Sequence, residues 1–337
     1  MRGKPDNKIM QRITGAAFLC AALVLLVLFL RPLTDVVVSS ALSTPSAAPA
    51  PSPSAPQTTC TVAFFGSASD PFCAALSPAL DDLAAANGWR LIRYDCRGNA
   101  TNQKGQMEDF VRTENADIAV IYSVLSQEEL DAQVEDIHGV CPVITVGSSV
   151  GADAKRYVSA HVGADETERI RMLTAYFGAD LQENSGVLLL YDVPDAATEA
   201  LYNKVLSEEK VTVLGKNYSW LGAAYAERYL NTGVEDFSNV GGVFCTSRHG
   251  TAGTAKALGE MELRDGIKVA AFFYEPAMAE DMARGELDAA VAVSPTEAAE
   301  MLADILPKRL NGEPIVKEYL IPILLTPENI GTVDLGY

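Results

Sequence analysis

From Thr61 onward the chain alternates short apolar runs with amphipathic stretches. TVAFF (61–65) leads into a helical pattern over 71–86, RLIRYD (90–95) into 101–113, and DIAVIY (117–122) into 127–137, before PVITV (142–146). A second series follows. A helix is predicted over 165–181 with Asp165 as its N-cap, then GVLLLY (186–191), a helix over 196–207, VTVLG (211–215), a helix over 221–230 and GGVFC (241–245). Helices over 250–261, 278–284 and 296–310 then alternate with IKVAAFF (267–273), LDAAVAV (287–293) and YLIPILL (319–325). Apolar runs of strand length separated by helices of 10–15 residues predict parallel sheets covered on both faces. The fold class is α/β: two doubly wound, Rossmann-like lobes joined near residues 147–164.

The stretch before Thr61 is built differently. Ile13–Leu30 is an unbroken run of 18 uncharged residues, which as a helix would span roughly 27 Å, near the hydrocarbon thickness of a bilayer. Its length favours a retained transmembrane anchor over a cleaved signal peptide, for which Ser39-Ser40-Ala41 offers an exit. Arg2, Lys4, Lys8 and Arg12 precede it, so residues 1–12 are expected on the cytoplasmic side. Ala41–Thr59, with prolines at 45, 49, 51, 53 and 56, reads as a semi-rigid spacer. The expected placement is a single-pass membrane protein with its C-terminal domain, residues 60–337, extracytoplasmic.

Charge supports that division. The net charge is −18. Residues 1–57 hold five basic side chains (Arg2, Lys4, Lys8, Arg12, Arg31) and two acidic ones (Asp6, Asp35), or +3, which leaves −21 for the rest. An acidic body of this kind excludes a duplex nucleic-acid partner, whose phosphates require a basic face. No G-x-x-x-x-G-K-[ST] and no G-x-G-x-x-G after the first strand occurs, so neither a nucleotide-driven motor nor a dinucleotide cofactor is supported; no cofactor is expected. The three histidines, His138, His161 and His249, lack metal-ligand spacing.

Several segments, in order, carry a family resemblance. They are Asp70-Pro71-Phe72 after the opening strand, Pro142-Val143-Ile144-Thr145, Val158 to Asp165 (VSAHVGAD), Gly242-Val243-Phe244-Cys245 ahead of Ala255-Lys256-Ala257-Leu258, Ala283 to Val291 (ARGELDAAV), and Leu310-Asn311-Gly312-Glu313-Pro314. With these the chain resembles the type I periplasmic binding proteins, in particular the ribose-binding-like sugar receptors whose fold is shared with LacI-type regulators. The resemblance implies two lobes on three hinge strands, closing over a small polar, sugar-like ligand for an ABC-type permease and its ATPase. It assigns lobe 1 to about 60–150 plus 267–293, and lobe 2 to about 157–262 plus 296–326. A ligand-sensing ectodomain that reports to a membrane kinase or another membrane partner is the alternative. The regulator branch is excluded because the anchor and spacer occupy the place of a DNA-binding head.

Ligands of such sheets bind beyond the carboxyl ends of the strands. That rule nominates Asp70, Phe72, Cys73, Ser148, Asp195, Ser247, Arg248 and Tyr274. Phe72 is the leading contact, since an aromatic face suits the C–H surface of a sugar ring. The polar residues that sugar receptors use in the resembled family are mostly replaced. Their Asp-Arg pair falls on Gly147-Ser148, their arginines near Thr198 and Ala200, their Asn-Asp on Ser247-Arg248, their later Asp on Phe273 or Tyr274, and their Gln on Val293. Arg248 and His249 open a predicted helix, where backbone N–H groups favour anions, so a carboxylate or phosphate on the ligand is a further expectation.

Cys73 and Cys96 end neighbouring predicted strands; a disulfide between them and a pair of buried free thiols both stay open. Gly147-Ser148-Ser149-Val150-Gly151 matches the nucleophile-elbow pattern of serine hydrolases but leads into a polar stretch rather than a helix. No enzymatic activity is expected.

Overall fold

The computed structural model describes residues 60–113, 115–178, 185–192, 194–219, 221–315 and 319–337. The span 13–30 and the spacer 41–59 lie outside these. Among the described residues, no helix is long and apolar enough to cross a membrane.

The first lobe is a five-stranded parallel sheet in the order β2-β1-β3-β4-β5. Its strands are β1 (Thr61–Gly66), β2 (Arg90–Asp95), β3 (Ile118–Tyr122), β4 (Val143–Val146) and β5 (Val158–Val162). Burial explains their composition. β1 and β4 are buried at every position and β3 at all but its last, whereas the edge strand β2 mixes exposed with partly buried residues. Covering helices are α1 (Pro71–Asn87), α2 (Ala100–Thr113) and α3 (Gln127–His138). Asp70 caps α1 ahead of Pro71, and Gly88 ends it at φ 68, where a side chain would be strained.

The second lobe repeats that topology. β6 (Gly186–Tyr191), β7 (Thr212–Tyr218), β8 (Val240–Cys245), β9 (Lys268–Ala271) and β10 (Ala289–Ala292) are parallel, and β11 (Ile323–Leu325) adds an antiparallel edge, giving the order β11-β10-β9-β8-β6-β7. Between them lie α4 (Glu166–Gly178), which precedes β6, α5 (Ala196–Glu208), α6 (Ala223–Gly233), α7 (Arg248–Glu260), α8 (Met278–Ala283) and α9 (Pro295–Leu310). Asp165 does cap α4, its Oδ1 accepting the Thr167 N–H at 2.8 Å.

The assignment of lobes differs from the sequence expectation. Segment 267–293 pairs with β8 in the second sheet, and α9 belongs to the first lobe. Ala298, Leu302, Ile305 and Leu306 of α9 pack with Leu76 and Leu80 of α1 and Ile144 of β4 in one core cluster. The expected crossing near residue 294 is thus present but runs from the second lobe to the first, and the expected crossing before residue 267 is absent, since β8 and β9 share one sheet. Two further crossings run beside each other: Ala164 bridges Leu320, and the Leu320 N–H donates to the Gly163 carbonyl at 3.0 Å. A Cβ at Gly163 would lie 2.5 Å from His161 Nε2, so any larger residue there would have to displace the His161 ring.

Candidate functional site between the lobes

The carboxyl ends of β1 and β3 in the first lobe converge with that of β9 in the second. Tyr122 ends β3, and its ring stacks on Phe72 with centroids 5.8 Å apart and planes 18° apart. Burial and the Asp70 carboxylate, which accepts its hydroxyl, hold the Tyr122 phenol well above its usual pKa. Tyr274, just past β9, meets the ring of Tyr337 edge to face at 5.8 Å. The Tyr337 phenol lies within electrostatic range of Asp70 on one lobe and of Tyr274, Glu275 and Arg169 on the other.

The positions nominated from sequence divide into three groups. Phe72 and Tyr274 come together in this region through Tyr122 and Tyr337. Phe72 is only 8% exposed and belongs to the first lobe's core, so it backs the Tyr122 ring rather than offering a bare face. Asp70, Asp195 and Ser247 serve as helix caps. Asp70 Oδ1 accepts the Cys73 N–H at 3.0 Å, and Asp195 accepts the Ala197 N–H at 3.0 Å and the Thr198 hydroxyl at 2.9 Å. Ser247 Oγ accepts the Gly250 N–H at 3.1 Å and is bonded to Ser219 Oγ at 2.6 Å.

Cys73 is buried, with Sγ accepting the Ser67 N–H at 3.3 Å, which removes it from ligand contact. Burial pushes its thiol pKa up to about 11. Cys73 and Cys96 are unbridged, and the five described cysteines are all free thiols. Ser148 donates its hydroxyl to the Ser123 carbonyl at 3.2 Å. Beyond it the chain enters a 3₁₀ turn, Ala154–Tyr157, so the helix a nucleophile elbow requires is replaced by that turn.

Arg248 is paired on one side. Its Nη1 lies 3.2 Å from Glu275 Oε2. The shallow concavity of about 310 Å³ that it lines with Lys256 and Arg284 is likewise balanced by carboxylates: Lys256 pairs with Glu227, and Arg284 with Asp281 and Glu286. This pairing offsets the charge that an anionic ligand at Arg248 would need, on a side chain that stays 45% exposed.

Five residues of the region, Tyr337 among them, lay outside the sequence candidates. Tyr122 was within reach, being the last residue of a predicted strand. Arg169 opens no strand end; from the first turn of α4 it donates to the Phe272 carbonyl and pairs with Glu166 at 2.8 Å, while its buried Nε has no partner. Glu166 also accepts the Tyr202 hydroxyl at 2.5 Å. Asp192, after β6, has its carboxyl pKa raised by burial, against the opposing influence of His249 and a hydrogen bond from Ser247. Among the described residues no group of His, Cys, Asp or Glu is arranged to hold a metal ion.

The cleft is therefore an aromatic and polar space whose cations are already matched by carboxylates. It can grip a ring with apolar faces and hydroxyls on its rim without covalent chemistry. Two sheets that share the order of their five parallel strands, three crossings and a site between strand ends define a two-lobed binding protein. The chain belongs to the periplasmic binding protein domain family, which matches residues 62–314. A comparison with curated proteins gives no match.

Solved structures share the fold. GanP, a glucose-galactose binding protein from Geobacillus stearothermophilus, is 15% identical at a TM-score of 0.70, covering 81% of this chain and 99% of its own. A carbohydrate transporter solute-binding protein from Agrobacterium radiobacter, in complex with D-arabinose, is 15% identical at 0.67, covering 82% and 97%. An ABC transporter solute-binding protein from Bacillus halodurans C-125 with bound myo-inositol is 20% identical at 0.64, covering 83% and 98%.

Proposed function

We propose that this protein is an extracytoplasmic solute-binding protein that captures a sugar or polyol between its lobes and delivers it to an ABC-type permease and ATPase. In this reading residues 13–30 hold it at the cell membrane and 41–59 act as the spacer. The observation that carries the reading is that Tyr274 of one lobe packs on Tyr337, which lies within electrostatic range of Tyr122 of the other lobe, next to cations paired with carboxylates. Aromatic faces bind the C–H faces of a ring, and paired charges favour an uncharged ligand over an anionic one. The ligands of the D-arabinose and myo-inositol complexes, and the name of the glucose-galactose binding protein, support the same class. The expected mode is noncovalent capture by lobe closure.

Thermal-shift screening of the protein against hexoses, pentoses, polyols and sugar acids tests the reading. A ligand at 100 times its Kd should add about 2.7 kcal/mol of stability. A shift confined to sugars or polyols supports the proposal, and no shift with any class rejects it.

A further inference from the structure

The chain beyond β11 turns back over the second lobe. The Thr326 N–H donates to Asn329 Oδ1 at 2.8 Å, and Asn329 Nδ2 donates to the Leu324 carbonyl at 2.9 Å, which fixes the turn. Leu335 is then buried in the core of that lobe, and its carbonyl accepts the Ser294 hydroxyl at 2.9 Å. Ser294 is the cap of α9, the helix that crosses to the first sheet. The segment is thus pinned where the chain passes from lobe to lobe. Gly336 follows at φ 79, packed so closely on Thr296 Oγ1 that no Cβ could be accommodated. Only glycine can make that turn, and the turn delivers Tyr337 to the cleft.

There the Tyr337 hydroxyl donates to the Tyr274 carbonyl at 3.4 Å, and the two rings pack edge to face. Tyr337 keeps 41% of its surface exposed, and Asp70 and Tyr122 of the first lobe, with Glu275 and Arg169 of the second, lie within electrostatic range of its phenol. A tyrosine side chain is a six-membered ring with apolar faces and a hydroxyl on its rim, which is also the description of the ligand class. We propose that Tyr337 is a built-in competitor that takes the ligand's seat between Tyr122 and Tyr274, so that an incoming sugar must displace it. The proposal rests on the cleft being the ligand site. Tyr337 thereby sets the affinity of the protein and, with no sugar added, ties the ends of β1 and β3 to that of β9.

The full chain and its Tyr337→Ala variant are compared in two measurements. Titration calorimetry uses D-galactose, D-arabinose and myo-inositol as probes. Hydrogen exchange without added sugar follows the amides of residues 66–73 and 272–275. The expected result is about fivefold tighter binding of a probe by the variant, equivalent to about 1 kcal/mol, with faster exchange in both segments. Weaker or unchanged affinity in the variant overturns the proposal, because the ring would then be part of the binding wall or irrelevant to it. If neither protein binds a probe, the sugar reading fails and exchange alone decides. Faster exchange in both segments upholds Tyr337 as the occupant of the cleft; unchanged exchange overturns it.

Discussion

His161 on β5 gives the fold a defined sensitivity to acid. Its Nδ1 is bonded to Thr145 Oγ1 at 3.0 Å on the neighbouring strand, and its Nε2 is buried without a partner. The ring tilts against Tyr319 at 6.2 Å. Burial, then the nearby Lys155, hold its pKa down to about 4 from 6.5, against the smaller opposing pull of Glu166 and Asp165. The sign follows from which state takes the proton. Above about pH 7 the ring is neutral in both states. As pH falls through 6.5 the unfolded chain binds a proton that the folded chain refuses, so stability is lost progressively and the loss is complete below pH 4.

Each unit between the two pKa values is worth about 1.4 kcal/mol, and integration from pH 7.5 to 5.0 gives a loss of about 2 kcal/mol. His161→Asn keeps a polar partner for Thr145 and removes the titrating group. Urea denaturation of both proteins at the two pH values isolates the effect, since the carboxylates are common to both. Wild type should lose about 2 kcal/mol more than the variant. Equal losses would refute the reasoning, for they would mean that the folded state protonates His161 as readily as the unfolded one.

Three other outcomes follow from the cleft. Phe72→Ala empties the space behind Tyr122 in a packed core, so it should destabilise the protein by about 3–5 kcal/mol in urea denaturation and weaken sugar binding, because Tyr122 loses its support. Asp195→Ala removes a helix cap, which should cost about 1 kcal/mol of stability while calorimetry shows an unchanged Kd for D-galactose; a large loss of affinity would return Asp195 to the ligand site. Because Arg248 is paired with Glu275 on a partly exposed surface, D-galacturonate should bind no better than D-galactose in titration, and Arg248→Ala should change D-galactose affinity less than about threefold.

The fold was legible because burial differs between the middle and the edge of a parallel sheet. IAVIY and VITV are continuous apolar runs for that reason, and RLIRYD at an edge is not. The division of lobes was not legible. The change of lobe at Ser294-Pro295 was expected, but only the packing of Leu302 and Ile305 against α1 shows that α9 passes to the first lobe rather than out of it. Strand ends located Phe72 and Tyr274, but a strand end is also where helix caps are required. Asp70, Asp195 and Ser247 have residue types that suit either role, and the structure uses all three as caps. Arg169 reaches a carbonyl 103 residues away and Tyr337 one 63 residues away, so their presence in the cleft depends on tertiary contacts that no local pattern records.

Titration calorimetry of the purified chain with D-galactose, D-arabinose and myo-inositol, repeated on Tyr122→Ala, is the most direct test of capture between the lobes. The expected result is one mole of sugar or polyol bound per mole of chain, with binding lost in a variant that still melts cooperatively. The absence of heat with every probe, or undiminished binding by Tyr122→Ala, would contradict it.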